Sequence, residues 1–355
     1  MLSPSPKLTG GVIDFVEMVR ANFSSHVFCT TQVGNDGSKL PLAVRLARDG
    51  WSFVRSILRM HPEVVHLNPS LDRSIVREGF YLLLARIVYR GPIVVFVHGW
   101  EEVWAARISG SPLPRSLFRA VFRRADRIYV LATSFRDQLV ALGIDQTRVR
   151  VTSTMVDMNQ FRGLVRSRPV DDGSLRLLFM SRLVPRKGAI ETVRAFALLA
   201  DAFPSLRLCC AGDGPERSSL QHWVSERGLA DRVSFPGFVR GQAKAQLMLD
   251  SDVFVFPTSY GEGCPVTLLE AMAAGLPVVT AEAGGIPDVA QDGVHGRVLA
   301  KQPGAQAVAD AIGQLLADPA ALRRVGQANA IEAARRFDSV HWCRALEGDY
   351  AQLLQ

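Results

Sequence analysis

The chain has 355 residues, of which 48% are apolar and 21% charged, so it is long enough for two domains and has the balance of a globular protein with a large core. No run approaches 18 uninterrupted apolar residues and no apolar leader opens the sequence, so neither a membrane-spanning helix nor a secretion signal is expected. The net charge of +7 is uneven: residues 1–165 carry 21 Lys and Arg against 13 Asp and Glu, and residues 166–355 carry 20 against 21. A basic first half suits an anionic substrate or an anionic membrane surface. Nucleic acid is not expected, because no recognition motif accompanies the charge. The five cysteines have no metal-ligand spacing, and an odd, scattered set points to reduced thiols and a cytoplasmic location.

Short apolar runs alternate with helical patterns along the whole chain, the pattern of stacked βα units and parallel sheets. The opening MLSPSPKLTGG reads as the tail of a strand and its loop. A full strand needs about five or six residues, so the natural protein is expected to begin about 8–15 residues upstream. Gly10 and Gly11 precede a helical pattern and would let backbone approach a phosphate closely. Strands are expected at His26–Thr30, Val64–Leu67, Ile93–Val97 and Arg127–Leu131. Before the last of these, PRSLFRAVFRRADRIYV sets Arg115, Arg119 and Arg123 on one helical face, with Leu117, Phe118, Val121 and Phe122 largely on the other.

The turn-rich cluster Gly163–Gly173 is the expected domain boundary. Further strands follow at Leu175–Met180, Leu206–Ala211, Val233–Phe235, Val253–Phe256 and Pro277–Thr280. Helices are expected over Ala189–Ala202, Ser218–Arg227, Lys244–Leu249 and Pro265–Ala274, and a last helix over Ala330–Gln355. This order gives an α/β chain of two Rossmann-like domains, 1–165 and 172–335, facing a cleft at their strand ends, with a terminal helix in 336–355.

Residues 257–270, PTSYGEGCPVTLLE, place Glu262 in a loop and Glu270 about one and a half turns inside the helix that Pro265 is suited to begin. Amides after Gly263, at Cys264 and Val266, add the positive end of the helix dipole. Two carboxylates around an anion-binding helix start match a sugar polyol, a pyrophosphate and a ribose diol. In FMSRLVPRKG, Arg182 and Lys187 lie just past a strand end, where a departing pyrophosphate needs positive charge. His98 follows the apolar strand of VVFVHGW.

The segment VFVFPTSYGEGCPVTLLEAMAAGLPVVTAEAGGIPDVAQDGVHG resembles the donor-binding core of family-four retaining glycosyltransferases, which have the GT-B fold. The resemblance implies that Glu262 contacts the donor sugar, Glu270 the ribose, and Arg182 and Lys187 the pyrophosphate. It also implies that His98 contacts the sugar and Gly11 the phosphate, with the base read through backbone near Val239. In such proteins the terminal helix crosses back to the first domain, and no metal or other cofactor is expected because Arg and Lys take a metal's role.

HLNPSLDRSIVREGFYLLLARIVYRGPIVVFVHGW is similar to bacterial exopolysaccharide glycosyltransferases that extend polyprenyl-diphosphate sugars. The expected function is therefore retaining transfer from a UDP-, GDP- or ADP-sugar to a saccharide or lipid-linked acceptor in surface polysaccharide synthesis, peripheral to an anionic inner membrane. A nucleotide-sugar epimerase or an inactive scaffold of the same fold are the alternatives. AGDGPE is not a dinucleotide fingerprint, because Arg217 stands where its third glycine should fall. Asp250 and Asp252 precede a strand and read as helix-end and strand-start polarity instead of a metal site.

Overall fold

Runs such as Ile93–Val97 and Val253–Phe256 are buried along their whole length, as strands of a parallel sheet are when helices cover both faces. The computed structural model describes residues 2–3, 11–23, 31–32, 41–72, 74–167 and 173–355. The expected strand at His26–Thr30 and the glycine at position 10 lie outside the described residues.

Two compact units emerge: residues up to Met155 with Gly261–Cys264 and Ser339–Gln355, and Val156–Tyr260 with Pro265–Asp338. The first contains β1 (Leu2–Ser3), α1 (Gly11–Asn22), β2 (Thr31–Gln32), α2 (Leu42–Met60), β3 (Val65–Leu67), α3 (Ser74–Val88), β4 (Ile93–Val97), α4 (Glu102–Ser109), α5 (Pro112–Phe122), β5 (Arg127–Val130), α6 (Thr133–Ala141) and β6 (Val149–Val151). Strands β3 to β6 form a parallel sheet in sequence order, and β1 pairs with β2. Phe96 of β4 is fully buried, a burial that contributes about 1.5–3 kcal/mol.

The second unit contains β7 (Leu175–Met180), α7 (Ala189–Leu199), β8 (Leu206–Ala211), α8 (Arg217–Glu226), β9 (Val233–Gly237), α9 (Gly241–Leu249), β10 (Val253–Phe256), α10 (Val266–Ala273), β11 (Val278–Ala281), α11 (Ile286–Val289), β12 (Gly296–Leu299), α12 (Ala305–Leu316) and α13 (Pro319–Arg336). Its six parallel strands run β12-β11-β10-β7-β8-β9. Chain order reverses between β7 and β10, and open α/β sheets bind ligands past the carboxyl ends of strands at such a reversal. The loops leaving those two strands carry Arg182, Lys187 and, further along, Glu262.

The last helix, α14 (Ser339–Leu353), returns the chain to the first unit. There Trp342 Nε1 donates to the Ser153 carbonyl at 3.0 Å, Tyr129 OH donates to Asp349 Oδ2 at 2.7 Å, and Tyr350 OH bonds the His66 ring. The tail is not the single helix expected over Ala330–Gln355. It breaks at Phe337–Asp338, where Val156 N donates to the Phe337 carbonyl at 2.8 Å and Val156 pairs with Asp338 as an isolated parallel bridge.

The units also divide at Met155/Val156, upstream of the turn-rich 163–173 stretch. Residues after 155 are tied to the second unit by Gln246 Nε2 donating to the Val165 carbonyl and by the Arg166–Asp252 ion pair. Asp250 accepts from Ser167 N at 2.7 Å and Ser167 Oγ at 2.6 Å, and Asp252 accepts from Arg176 N at 2.8 Å. Both aspartates thus tie backbone together, in line with the polarity reading. Cys209 and Cys210 lie in β8, and Cys210 is buried.

Candidate active site

The two cations of the second unit sit on a loop whose shape is fixed by glycines. Gly212 and Gly214 have φ of +145° and +153°, and a Cβ there would lie 1.8 Å from the Ser181 carbonyl oxygen or 2.3 Å from that of Leu183. Only glycine allows the β8 exit to lie against Ser181–Leu183. Ser181 N donates to Ala211 O at 3.1 Å and Leu183 N to Asp213 O at 2.9 Å, so the backbone bearing Arg182 is held from both sides. The AGDG motif is therefore a brace for Arg182, and Arg217 extends it by donating to the Phe235 carbonyl at 3.0 Å.

Lys187 is buried, and its ammonium lies 4.4 Å from the centre of the Tyr260 ring. Arg186, with φ +73°, is exposed to solvent. Its guanidinium donates to Ser259 O at 2.7 Å, and its carbonyl accepts from Ser259 N at 2.8 Å, which ties this loop to the exit of β10.

Glu270 is on the fifth residue of α10, which begins at Val266 with Pro265 as its extended cap instead of its first turn. Its side chain is buried and pairs with Lys244 of α9 at 2.5 Å. Sequence reasoning missed Lys244. The available signal was its place on the helix expected over Lys244–Leu249, four residues before Met248 and so on the face of an apolar residue. Val239 is half-buried in the loop between β9 and α9, the loop that also leads to Lys244.

The first unit brings His98 and the Glu262 loop together. Gly261 and Gly263 bracket Glu262: a Cβ on Gly261 would lie 3.0 Å from Trp100 O, and one on Gly263 2.9 Å from His98 O and 2.8 Å from Leu131 Cδ1. The loop can press on the β4 exit only because both flanking residues are glycines. Cys264 is buried, and its carbonyl accepts from Thr154 Oγ1 at 3.3 Å.

His98 Nε2 donates to Asn68 Oδ1 at 2.8 Å, leaving Nδ1 with a lone pair. The ring stacks on Phe96 at 4.5 Å and meets Phe15 edge-on at 4.6 Å. Burial pulls its pKa down to about 3, so the imidazole is neutral at physiological pH. Asn68 is a second residue that the sequence did not reveal. Gly11 starts α1 with ordinary backbone and nothing within 4 Å of a Cβ built on it, so close packing does not require glycine there. Among the described residues, no group of three or more His, Cys, Asp and Glu side chains could hold a metal ion.

Comparison with known proteins matches residues 17–160 to the family described as Glycosyltransferase Family 4 and residues 164–333 to Glycosyl transferases group 1. The putative colanic acid biosynthesis glycosyltransferase WcaL of Salmonella typhimurium is 27% identical over 285 residues, 79% of this chain and 66% of the relative. The GDP-mannose-dependent alpha-(1-6)-phosphatidylinositol monomannoside mannosyltransferase of Mycolicibacterium smegmatis is 30% identical over 257 residues, 69% of this chain and 66% of the relative. The chain thus spans a little under two thirds of the length of either relative. Among solved structures, Anabaena HepE in complex with UDP and glucose superposes with a TM-score of 0.73 at 19% identity, covering 99% of this chain and 98% of that one. That likeness is one of fold.

Proposed function

The chain belongs to the family-four glycosyltransferases of the GT-B type, and from that premise we propose that it transfers a sugar from a nucleoside-diphosphate donor to a saccharide or lipid-linked acceptor with retention of configuration. Surface polysaccharide assembly is the setting, in keeping with a relative named for colanic acid biosynthesis. A relative named for GDP-mannose and a fold neighbour solved with UDP and glucose support a nucleotide-sugar donor.

The observation that carries the reading is the double-glycine bracket that seats Glu262 on the backbone of His98. A carboxylate and a neutral imidazole held together can bind sugar hydroxyls and steady positive charge at the anomeric carbon. Arg182 and Lys187 receive the leaving pyrophosphate, and Glu270 takes the ribose diol. The amides at Gly263, Cys264 and Val266, the start of α1 at Gly11 and the backbone near Val239 complete the donor contacts. No carboxylate is assigned as a nucleophile. The departing phosphate takes the acceptor's proton on the same face, through a short-lived oxocarbenium ion. With two cations serving the leaving group, the reaction needs no metal.

A thermal-shift screen of UDP, GDP, ADP and their sugars tests this. Stabilisation by one nucleotide family, lost in Lys187→Ala, is expected, and no stabilisation by any of them would overturn the reading. Epimer formation from a nucleotide sugar alone would favour the isomerase instead.

The membrane is the proposed location of the acceptor. No helix among the described residues is long and apolar enough to cross a membrane. In α5, Phe118 and Phe122 are buried, but Leu113 and Leu117 are exposed beside Arg115 and Arg119, so Leu117 does not join the core-facing stripe. Helix α2 adds exposed Trp51 and Leu58 alternating with Arg55 and Arg59, an apolar-basic face absent from the sequence reading. Such faces suit an anionic lipid surface. Co-sedimentation at low salt should favour anionic over neutral vesicles, and equal binding would contradict the electrostatic docking.

A further inference from the structure

Helix α14 gives the first unit a buried aromatic stripe. Trp342, Leu346 and Tyr350 recur every four residues and are all buried, so one face of the helix carries them. The two rings are fixed at their polar ends: the Trp342 Nε1 donates to the Ser153 carbonyl at 3.0 Å, and the Tyr350 hydroxyl bonds His66. Buried tryptophan and tyrosine need such partners, and here the bonds also set where each ring lies.

The two rings reach the surroundings of His98 from different directions. Alternation along β4 and past its end puts Phe96 and His98 on one face of the sheet. His66, Phe96 and His98 form a stacked series, with ring centres 6.0 and 4.5 Å apart and planes inclined by 19° and 26°. Tyr350 holds one end of this series through His66, and the imidazole of His98 is the other end. Trp342 comes in from the side. It meets Phe15 of α1 edge-on at 5.5 Å and 83°, and Phe15 in turn meets His98 edge-on at 4.6 Å. Trp342 also lies 6.1 Å from Phe96. Both phenylalanine rings against the imidazole therefore rest on Trp342, while Asn68 holds its Nε2.

We infer that Trp342 is a positioning residue for His98, acting through Phe15 and Phe96, so that the return of α14 to the first unit sets the imidazole as well as closing the core; the inference rests on the glycosyltransferase reading. A smaller side chain at position 342 leaves a space that its surroundings fill only in part. Phe15 borders that space and can lean into it. The imidazole then loses its edge-on contact and can turn about the Asn68 bond. A displacement of about 1 Å at a reacting group can lower turnover by about 10²-fold. Arg182, Lys187 and Glu270, which are assigned to the pyrophosphate and ribose, belong to the other unit, so nucleotide binding should not depend on Trp342.

The test uses the full chain and the nucleotide sugar identified by thermal shift. Three quantities are measured for Trp342→Leu and Trp342→Phe: turnover at saturating donor, the thermal shift given by the matching nucleoside diphosphate, and the His98 ring signals in proton–nitrogen correlation NMR. Trp342→Leu should lower turnover by about tenfold or more, move the His98 signals and leave the nucleotide shift unchanged. Trp342→Phe keeps a ring against Phe15, so turnover should stay within about threefold of wild type, with a smaller movement of the same signals. A role in stability alone would lower the Tm and leave turnover of the folded protein and the His98 signals where they were. With an active wild-type chain, either of these two left unmoved in folded Trp342→Leu overturns the assignment. Where Trp342→Leu does not fold, unmoved His98 signals in Trp342→Phe overturn it. Failure of the glycosyltransferase reading looks different: the wild-type chain turns over no nucleotide sugar, and the His98 signals alone then decide the positioning role.

Discussion

The Lys187 ammonium lies 4.4 Å from the centre of the Tyr260 ring and 6.0 Å from that of Phe256, on a residue only 7% exposed. A cation over an aromatic face gains about 0.5–2 kcal/mol, which fixes where the charge sits at the exit of β7. If that charge serves the leaving pyrophosphate, Lys187→Met, which keeps the buried stem, should lower turnover by about 10²–10³-fold. Steady-state kinetics at saturating donor checks this, and retention of more than about a third of wild-type turnover would remove Lys187 from the mechanism.

The brace around Arg182 makes a prediction on glycine. Gly212→Ala must push against the Ser181 carbonyl at a φ of +145°, and should cost about 2–4 kcal/mol and reduce turnover by displacing Arg182. Gly348→Ala, inside α14 where nothing lies within 4 Å, is the control and should be neutral or slightly stabilising. Urea unfolding of both variants checks the difference. A Gly212→Ala protein as stable and active as the control would show that the brace is not needed.

Lys244 and Glu270 should behave as a coupled pair. Lys244→Met leaves a buried carboxylate without its 2.5 Å partner, so a double-mutant cycle with Glu270→Gln should give a coupling of about 1–3 kcal/mol. Additive losses in denaturant unfolding would contradict this.

The motifs that spacing alone made legible are those confined to one strand–loop–helix step: Arg182 and Lys187 after β7, and Glu262 and Glu270 around the start of α10. There local propensity fixes both the element and the side of the sheet. The partners Asn68, Lys244 and Tyr260 were not legible. They meet His98, Glu270 and Lys187 across 30, 26 and 73 residues, through strand and helix neighbours that periodicity does not specify. The break at Phe337 was hidden for the same reason. Apolar spacing continues through it, with Phe337, Trp342, Leu346 and Tyr350 all buried, and only the pairing of Asp338 with distant Val156 interrupts the helix.

His98 supplies a pH prediction. Its folded pKa of about 3 lies below the ordinary histidine value near 6.5, so the unfolded chain takes up the proton first as pH falls. Stability from this group is fully present above about pH 6.5 and is lost as pH falls toward about 3. His98→Gln should reduce proton uptake on unfolding in that window by about one per molecule, while His66, also held low by burial, keeps its own share. Calorimetry across buffers at pH 4.5–6 measures it. An NMR titration of the His98 ring with a midpoint near 6.5 would contradict the enclosed, neutral imidazole.

The metal question is open to a simple removal. Turnover should be unchanged after dialysis against EDTA and should not rise on adding magnesium or manganese. A metal requirement would show that Arg182 and Lys187 do not suffice for the leaving group.

Retention of configuration is tested most directly by the anomer first released. The protein is mixed with the nucleotide sugar identified by thermal shift, with water or an accepting saccharide as the nucleophile, and the anomeric proton is followed by NMR from the first turnover. An α-linked donor should give an α-linked product, with mutarotation to the other anomer only afterwards. A β-linked product at the earliest time points would contradict same-face transfer and the roles given to Glu262, His98 and Lys187.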